Sequence, residues 1–224
     1  NISVSIAEEA LILSLGAKLK VPVLSDVWDW FLTMKFMDFN NDNENTIYSD
    51  LAAHLLETEG NLSLGIKKYL ESFDDSIVEI TKKDKQSDGV NLYKGLSNFN
   101  SFHRISGSDQ LKSIPLEEES QGTLKMLSMY PAIALALIDG GVLVIDELNT
   151  KLHPLLVRNI ILTFANPKIN INNAQLIFTT HDSWQMETKL LRRDEIWFTE
   201  KFGTNESTLF SLAEFQNQDG TKIR

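Results

Sequence analysis

Two adjacent carboxylates, Asp146 and Glu147, follow the apolar run Val142–Ile145, and this pairing has the clearest chemical meaning in the sequence. Ligands of open α/β sheets bind outside the carboxyl ends of the strands, so both side chains stand where a site is expected. One carboxylate suits Mg²⁺, a hard cation that prefers oxygen ligands and keeps part of its water shell. The other suits a general base for the water that attacks in phosphoryl transfer. An acidic turn after a strand is the alternative interpretation of this pair taken alone.

A histidine, His181, ends a second apolar segment, Leu176–Phe178 with two threonines, and stands 35 positions after Asp146. A neutral imidazole at that place can hydrogen-bond a γ-phosphate and the attacking water. A solvated histidine at the end of a strand is the alternative. Another histidine, His153, directly precedes Pro154 at a predicted helix start, where it either contacts a partner subunit or only caps the helix.

The tripeptide Ser120, Gln121 and Gly122 stands 26 positions before Asp146 and is predicted to open a helix. Serine is a favoured N-cap, and the free N–H groups of a helix N-terminus attract anions. The glycine lets a phosphate approach the backbone closely. An ordinary capped helix start is the alternative, because the acidic run Glu117–Glu119 lies beside the turn. Within the helix, a proline at position 131 is expected to introduce a kink.

The loop motif G-x-x-x-x-G-K-[ST], which cradles nucleotide phosphates, does not occur in the 224 residues. The sequence also begins at Asn1 rather than at a methionine. We therefore expect this chain to be the C-terminal part of a larger protein, or only its ordered part. We also expect that this portion alone binds ATP weakly.

The composition, with 42% hydrophobic and 23% charged residues, is that of an ordinary globular protein. The net charge of −10 argues against a broad nucleic-acid-binding surface on this portion. No apolar run approaches the roughly 18 residues that span a bilayer, so a membrane partner is not expected. The absence of cysteine excludes disulfides and thiolate metal sites, and it fits a reducing cytoplasm.

Strands alternate with helices after Leu116, which predicts an α/β fold with a largely parallel sheet and flanking helices. The predicted helices are Gln121–Ile138, Pro154–Phe164 and a short one near Trp184–Leu190. The predicted strands are Val142–Asp146, Gln175–Thr179, Glu195–Thr199 and Thr208–Ser211.

The first 72 residues are predicted to be helical, with a break at Val21-Pro22 and a helix that continues to Met34. Trp28 and Trp30 are expected in the core. Three further features are predicted here: a polar loop at residues 40–45, and N-caps at Ser49 and Ser63. Beyond this region we predict a strand at Ile77–Ile80, a loop at Lys82–Gly89, and pairing of Val90–Tyr93 with Phe102–Ile105. His54 and His103 have no evident partners and are expected to be structural.

Four segments together resemble the AAA15-type, ABC-like ATPases, which are related to abortive-infection and OLD-type proteins and more distantly to SMC and double-strand-break-repair ATPases. The segments are Glu119–Lys125, Val144–Pro154, Ala174–His181 and Leu191–Phe198, and the resemblance covers about residues 116–212. It implies an ABC-type P-loop ATPase core that sandwiches ATP and Mg²⁺ between two protomers. Many members act in phage defence and regulate a toxic effector, often a nuclease.

The resemblance also implies a role for each candidate residue. Asp146 would be the Mg²⁺-associated Walker B aspartate, Glu147 the catalytic base and His181 the switch histidine. Ser120, Gln121 and Gly122 would be signature residues that reach the ATP of the opposite protomer. Asn149 and His153 would belong to the D-loop at the dimer interface. The D-loop lacks the usual proline and the signature has one glycine, which disfavours a transporter.

The predicted organisation has three parts. Residues 1–80 form a helical lid or insertion region, residues 81–115 form short strands and a loop, and residues 116–224 form the C-terminal half of the ATPase core.

Three functions remain open. The first is a cytoplasmic ATPase that acts as a homodimer or higher homo-oligomer and controls an effector protein, a nuclease or a toxin, in anti-phage defence. The second is an ATP-binding scaffold or sensor with little turnover. The third is a DNA-repair or OLD-type ATPase that acts with a nuclease. In that case nucleic acid would be bound through the effector or a missing part, because the chain has no downstream D-x-D metal motif.

Overall fold

The computed structural model describes residues 11–38, 42–58, 60–83, 95–105, 107–108, 110–186, 190–203 and 206–215. The α-helices in these ranges are α1 (Ile12–Lys18), α2 (Pro22–Thr33), α3 (Asp42–Glu57), α4 (Asn61–Glu71), α5 (Gln121–Asp139) and α6 (Pro154–Ala165). The strands are β1 (Lys35–Asp38), β2 (Ile77–Lys82), β3 (Phe99–Arg104), β4 (Leu111–Pro115), β5 (Val142–Asp146), β6 (Gln175–Phe178), β7 (Trp197–Lys201) and β8 (Ser207–Ser211). This is a mixed α/β fold of the P-loop ATPase type, as the alternating pattern predicted.

A three-stranded parallel sheet carries the candidate carboxylates, in the order β1-β5-β6. The central strand, β5, is apolar because its side chains pack on the core: Leu143 and Ile145 are both fully buried. The opposite face contains the row Phe36, Val144 and Ile177, which are paired in register. Phe36 is 59% exposed and Ile177 is 54% exposed, so this second face is largely open within the described structure.

The longest helix, α5, joins the two hydrophobic cores of the described structure. One side of α5 packs with β5 and α6 through Met126, Met129 and Ile133. Its other side packs with α3 and α4 through residues that include Leu124 and Leu127. The helix continues through the proline at position 131 to Asp139. Because α5 is buried on both sides, its N-terminal turn is held firmly against the end of β5.

The remaining strands form two antiparallel sheets. One has the order β2-β3-β4, and the other is the hairpin β7-β8. Among the described strands, the parallel arrangement is therefore restricted to the three that surround the candidate carboxylates. Within the described ranges, no helix has both the length and the apolarity needed to cross a membrane.

Most predicted elements after Leu116 are confirmed, with β5 at its predicted bounds and α5 and α6 one residue longer. β6 ends one residue early, β7 begins two residues late, and the short helix near Trp184 is a 3₁₀ turn at Ser183–Met186.

The helical prediction for the first 72 residues is wrong at one important place. Residues Lys35–Asp38 form β1, which pairs with β5 in the parallel sheet. The helical spacing up to Met34 hid this strand, since α2 ends at Thr33. The core assignment of the tryptophans is also wrong, because α2 has no buried residue and Trp30 is 48% exposed.

The polar loop at residues 40–45 and both serine N-caps are wrong as well. Helix α3 already begins at Asp42, although Asn40 and Asn41 lie outside the described residues. Ser49 lies inside α3 and is fully buried, and Ser63 follows the true N-cap of α4, Gly60.

The strand β3 pairs with β2 and β4, neither of which was its predicted partner. The predicted partner, Val90–Tyr93, lies outside the described residues.

Candidate functional site

The acidic pair lies at the carboxyl end of β5, with Asp146 exposed to solvent and Glu147 half-buried. Both residues contact one hydroxyl, that of Thr179, which directly follows β6. The Thr179 hydroxyl donates to the Asp146 carboxylate and accepts the backbone N–H of Glu147 at 2.8 Å. Sequence reasoning missed Thr179, because nothing local distinguishes it from a solvent-exposed threonine at a strand end.

The backbone pairing between the two strand ends continues past the acidic pair as far as Leu148. The N–H of Leu148 donates to the Thr179 carbonyl at 3.0 Å, and the N–H of Thr179 donates to the Ile145 carbonyl at 3.1 Å. Glu147 itself has a φ of +49°, in the left-handed region that non-glycine residues rarely adopt. Strain of this kind persists only where the surroundings hold it, and it is concentrated at functional sites.

The carboxylate of Glu147 is oriented by a neighbour in the next turn. The Thr150 hydroxyl donates to Glu147 Oε2 at 3.0 Å. This bond leaves the carboxylate half-buried but still at the sheet edge, where a water molecule can reach it. A general base needs this combination of access and fixed direction.

Asn149 links the turn after β5 to His181. Its amide oxygen accepts the Thr180 hydroxyl at 2.9 Å, which places its Nδ2 against His181 Nε2 at 3.0 Å. Because an amide nitrogen only donates, the imidazole nitrogen that it contacts acts as the acceptor. The predicted residues Asn149 and His181 are therefore brought together, and Thr180 fixes their arrangement.

The Ser120–Gly122 turn caps α5 as predicted. The Ser120 hydroxyl accepts the backbone N–H of Thr123 at 3.1 Å, and both Ser120 and Gln121 are exposed. A Cβ built on Gly122 would lie 3.5 Å from the Lys151 carbonyl, so this turn lies directly against the segment 149–153. The two predicted site segments thus meet within one chain.

The acidic neighbour Glu119 does not point into this turn. Its carboxylate accepts the Ser101 hydroxyl and lies 2.5 Å from His103 Nε2, on strand β3. The side chain is only 8% exposed. The negative charge of Glu119 is therefore held by the antiparallel sheet, and His103 has a partner that the sequence did not reveal.

His153 acts as the N-cap of α6 in this chain. Its Nδ1 accepts the backbone N–H of Leu155 at 3.3 Å, and its ring is exposed. The capping role was one of its two predicted interpretations. The contact with a partner subunit stays a prediction.

A buried lysine, Lys125, also belongs to this neighbourhood. Its Nζ donates to the carbonyls of Thr150 at 2.5 Å and Leu148 at 3.3 Å. Burial and, to a smaller extent, the Lys151 charge lower its pKa to about 7, although the Glu147 charge acts in the opposite direction. The sequence offered no signal for this residue beyond its membership of the Glu119–Lys125 segment.

The donor set at the sheet edge fits Mg²⁺ with a nucleotide rather than a metal held by protein alone. Among the described residues, no group of three or more His, Cys, Asp or Glu side chains is arranged to hold an ion. Mg²⁺ in nucleotide sites is bound by one or two carboxylates, with water and substrate phosphates completing the shell. The exposed Asp146 carboxylate is suited to that arrangement.

The site lies on an open edge rather than in an enclosed pocket. Two concavities of the described surface lie elsewhere, one between α1 and α2 and one between α4 and β2. Neither contains a candidate residue. We therefore place the candidate site at this edge because of the chemistry of its side chains. An edge of this kind becomes enclosed only when another surface covers it.

A protein-family model matches residues 20–183, which is about three quarters of the chain. Its description reads "AAA domain, putative AbiEii toxin, Type IV TA system". The match includes β1, the Ser120–Gly122 turn, the acidic pair and His181. No curated protein matches the chain at a significant level.

Proposed function

This chain belongs to the AAA-domain family whose model spans residues 20–183, and we propose that it is an ABC-like ATPase of the AAA15 type that hydrolyses ATP with Mg²⁺. The observation that carries the proposal is the pair Asp146 and Glu147 at the end of the central parallel strand, held by one shared threonine hydroxyl. An acidic turn without a function would not need a strained backbone at Glu147.

Each residue has a definite task in this proposal. Asp146 holds Mg²⁺ through its exposed carboxylate, and Glu147 accepts the proton of the attacking water. His181, which is held beside the acidic pair by Asn149, hydrogen-bonds a phosphoryl oxygen. When bound, ATP would supply the phosphoryl group and Mg²⁺ would compensate the negative charge of that group.

No G-x-x-x-x-G-K-[ST] loop occurs within these 224 residues, and we propose that the phosphate cradle is supplied from outside them. We propose that Ser120, Gln121 and Gly122 contact the nucleotide of a second protomer, together with Asn149 and His153 at the interface. The open edge of the parallel sheet and the exposed, capped turn support this arrangement. The functional unit is then a homodimer or a higher homo-oligomer.

The description of the matched family names an AbiEii toxin and a type IV toxin–antitoxin system. We propose that this ATPase controls a toxic effector in anti-phage defence. A nuclease would be such an effector, and nucleic acid would be bound through it. The competing function is a scaffold that binds ATP without turnover. The fixed direction of the Glu147 carboxylate favours turnover, because a scaffold has no use for an oriented base.

The first prediction is that Glu147→Gln abolishes ATP turnover in the full-length protein while nucleotide still binds. Loss of a general base costs about two to four orders of magnitude in rate, and dimers with bound ATP should accumulate. Steady-state phosphate release and nucleotide binding would be measured in parallel. Glu200→Gln is the matched control, since Glu200 is exposed on β7 away from the site. Wild-type turnover in Glu147→Gln would contradict the proposal, and binding without turnover in the wild type would support the scaffold.

A further inference from the structure

Lys125 is the most unusual buried group in the described structure. It is 1% exposed, and full burial is rare for a lysine. It lies on α5, one turn after Ser120–Gly122, between the buried residues Leu124 and Met126. A methionine or leucine would fill this space without the cost of removing a charge from water. The lysine therefore needs an explanation beyond packing.

The contacts of Lys125 lead to the catalytic base in two steps. Its Nζ donates to the carbonyls of Leu148 and Thr150, which flank Asn149 in the turn after the acidic pair. The hydroxyl of Thr150 then donates to the carboxylate of Glu147 at 3.0 Å. The same threonine is thus held through its backbone and orients Glu147 through its side chain.

The turn that Lys125 holds is not a relaxed conformation. Glu147 has a φ of +49° and Lys151 a φ of +59°, and both residues bear side chains that disfavour the left-handed region. A segment that begins and ends in such conformations relaxes unless outside contacts determine its shape. Two hydrogen bonds from one rigid, buried helix supply such contacts.

The two bonds do not depend on the charge of Lys125. Burial lowers the pKa of the amine to about 7, so both protonation states are populated near neutral pH. The neutral amine still has two N–H donors, and it has two carbonyl partners. The turn is therefore held in either state, and the role of Lys125 is geometric.

We propose that Lys125 is a positioning residue for Glu147, which it aims through the backbone of Leu148 and Thr150 and through the Thr150 hydroxyl. This inference rests on the proposed ATPase function. Since Lys125 and the Ser120–Gly122 turn belong to one helix, a movement of that turn on nucleotide contact is transmitted to the catalytic carboxylate. The signature helix thereby adjusts the base of its own protomer.

The kinetic test uses Lys125→Met and Thr150→Val in the full-length protein, with Ser128→Ala as the matched control. Ser128 is also fully buried on α5, but its hydroxyl donates only within the helix, to the Leu124 carbonyl. Loss of such supporting groups typically costs about 10- to 100-fold in activity. We expect that fall in kcat for both variants, a KM for ATP within about twofold of the wild type, and recovery in Thr150→Ser.

A second measurement needs neither nucleotide nor turnover. Amide hydrogen exchange of residues 147–152 should be faster in Lys125→Met than in the wild type, because the turn loses its outside contacts, and it should be unchanged in Ser128→Ala.

The variant Glu147→Gln distinguishes a failure of the proposed ATPase function from a failure of the positioning role of Lys125. If Glu147→Gln turns over normally, the proposed function fails and the catalytic role of Lys125 fails with it.

If Glu147→Gln is inactive but Lys125→Met keeps the wild-type kcat, only the positioning role is overturned. A rise in KM with unchanged kcat would also overturn it, since Lys125 would then act in binding. Unchanged exchange in Lys125→Met would show that the lysine does not hold the turn.

Discussion

At the scale of single residues, Thr179 is as important to the site as the acidic pair, whose two residues it joins. Its hydroxyl donates to Asp146 while accepting the N–H of Glu147, and only a group that is both donor and acceptor can do this. The bond to the Glu147 N–H also satisfies a backbone group in a conformation that is otherwise unfavourable. Thr179 therefore holds the Asp146 carboxylate beside the backbone of Glu147.

Thr179→Val should lower ATP turnover by about 10- to 100-fold, in the range seen when groups that support an active site are removed. The valine keeps the shape but loses both hydrogen bonds, so the unfolding free energy should fall by about 1–2 kcal/mol. Thr179→Ser should recover most of the activity, because it restores the hydroxyl. Steady-state kinetics and urea unfolding would measure these effects, with the exposed Thr208→Val as control. Equal kinetics for Thr179→Val and Thr208→Val would remove Thr179 from the site.

At the scale of elements, α5 connects the Ser120–Gly122 turn to the core, and both of its ends are fixed by specific contacts. Ser120 caps its start. Gly140 ends it in a left-handed conformation with a φ of +66°, which glycine adopts without a side-chain penalty. The amide of Asn172 donates to the carbonyls of Leu137 and Ile138, which have no partner within the helix. These contacts hold the helix in register with β5.

Gly140→Ala should lower the unfolding free energy by about 2–3 kcal/mol, which combines a left-handed alanine with overpacking. A Cβ at this position would lie 2.4 Å from the Asn172 carbonyl oxygen, so the backbone must shift. Gly203→Ala is the matched control, because a Cβ there meets nothing within 4 Å. Its effect should stay within about 0.5 kcal/mol. Urea unfolding of both variants decides the matter, and equal midpoints would show that the end of α5 is not constrained as described.

At the scale of the whole molecule, the candidate residues lie on an exposed surface, which the partner protomer completes in the proposed dimer. The carboxylates stand at an open sheet edge, and Ser120 and Gln121 are exposed. In the proposed dimer, the exposed turn of one protomer faces the nucleotide of the other. In a composite site of this kind, a second protomer would cover the carboxylates. This would account for their position outside the two concavities described above.

Gly122→Asp should block ATP-driven association without unfolding the protein. A carboxylate there would face the γ-phosphate in a partly dehydrated interface, where repulsion of like charges costs several kcal/mol. Gly122→Ala is the matched control, because a Cβ at Gly122 makes only ordinary contacts, with the Lys151 carbonyl at 3.5 Å. Sedimentation with and without ATP would follow association, and circular dichroism would follow folding. ATP-dependent association of a folded Gly122→Asp protein would exclude this turn from the interface.

The sequence by itself predicted the elements whose residues follow a local pattern. The apolar run of β5, the serine that caps α5 and the proline that starts α6 determine these elements within a few neighbouring residues. The acidic pair and His181 could be chosen for the same reason, since the ends of buried strands are recognisable from polarity alone. The family resemblance added Asn149 as a D-loop residue, but its contact with His181 was not predicted.

Only the tertiary structure decided which distant segments meet. β1 has four residues and becomes a strand by pairing with β5, more than a hundred positions away, so no local pattern indicated it. The sequence around Lys125 and around Thr179 is ordinary. Their importance comes from partners far along the chain, which are the Thr150 carbonyl for Lys125 and the Asp146 carboxylate for Thr179. Local periodicity determines helices and strands, because it reports which side chains are buried. The contacts that orient Glu147 depend on the packing of α5 against β5 and β6, and packing is a property of the folded chain as a whole.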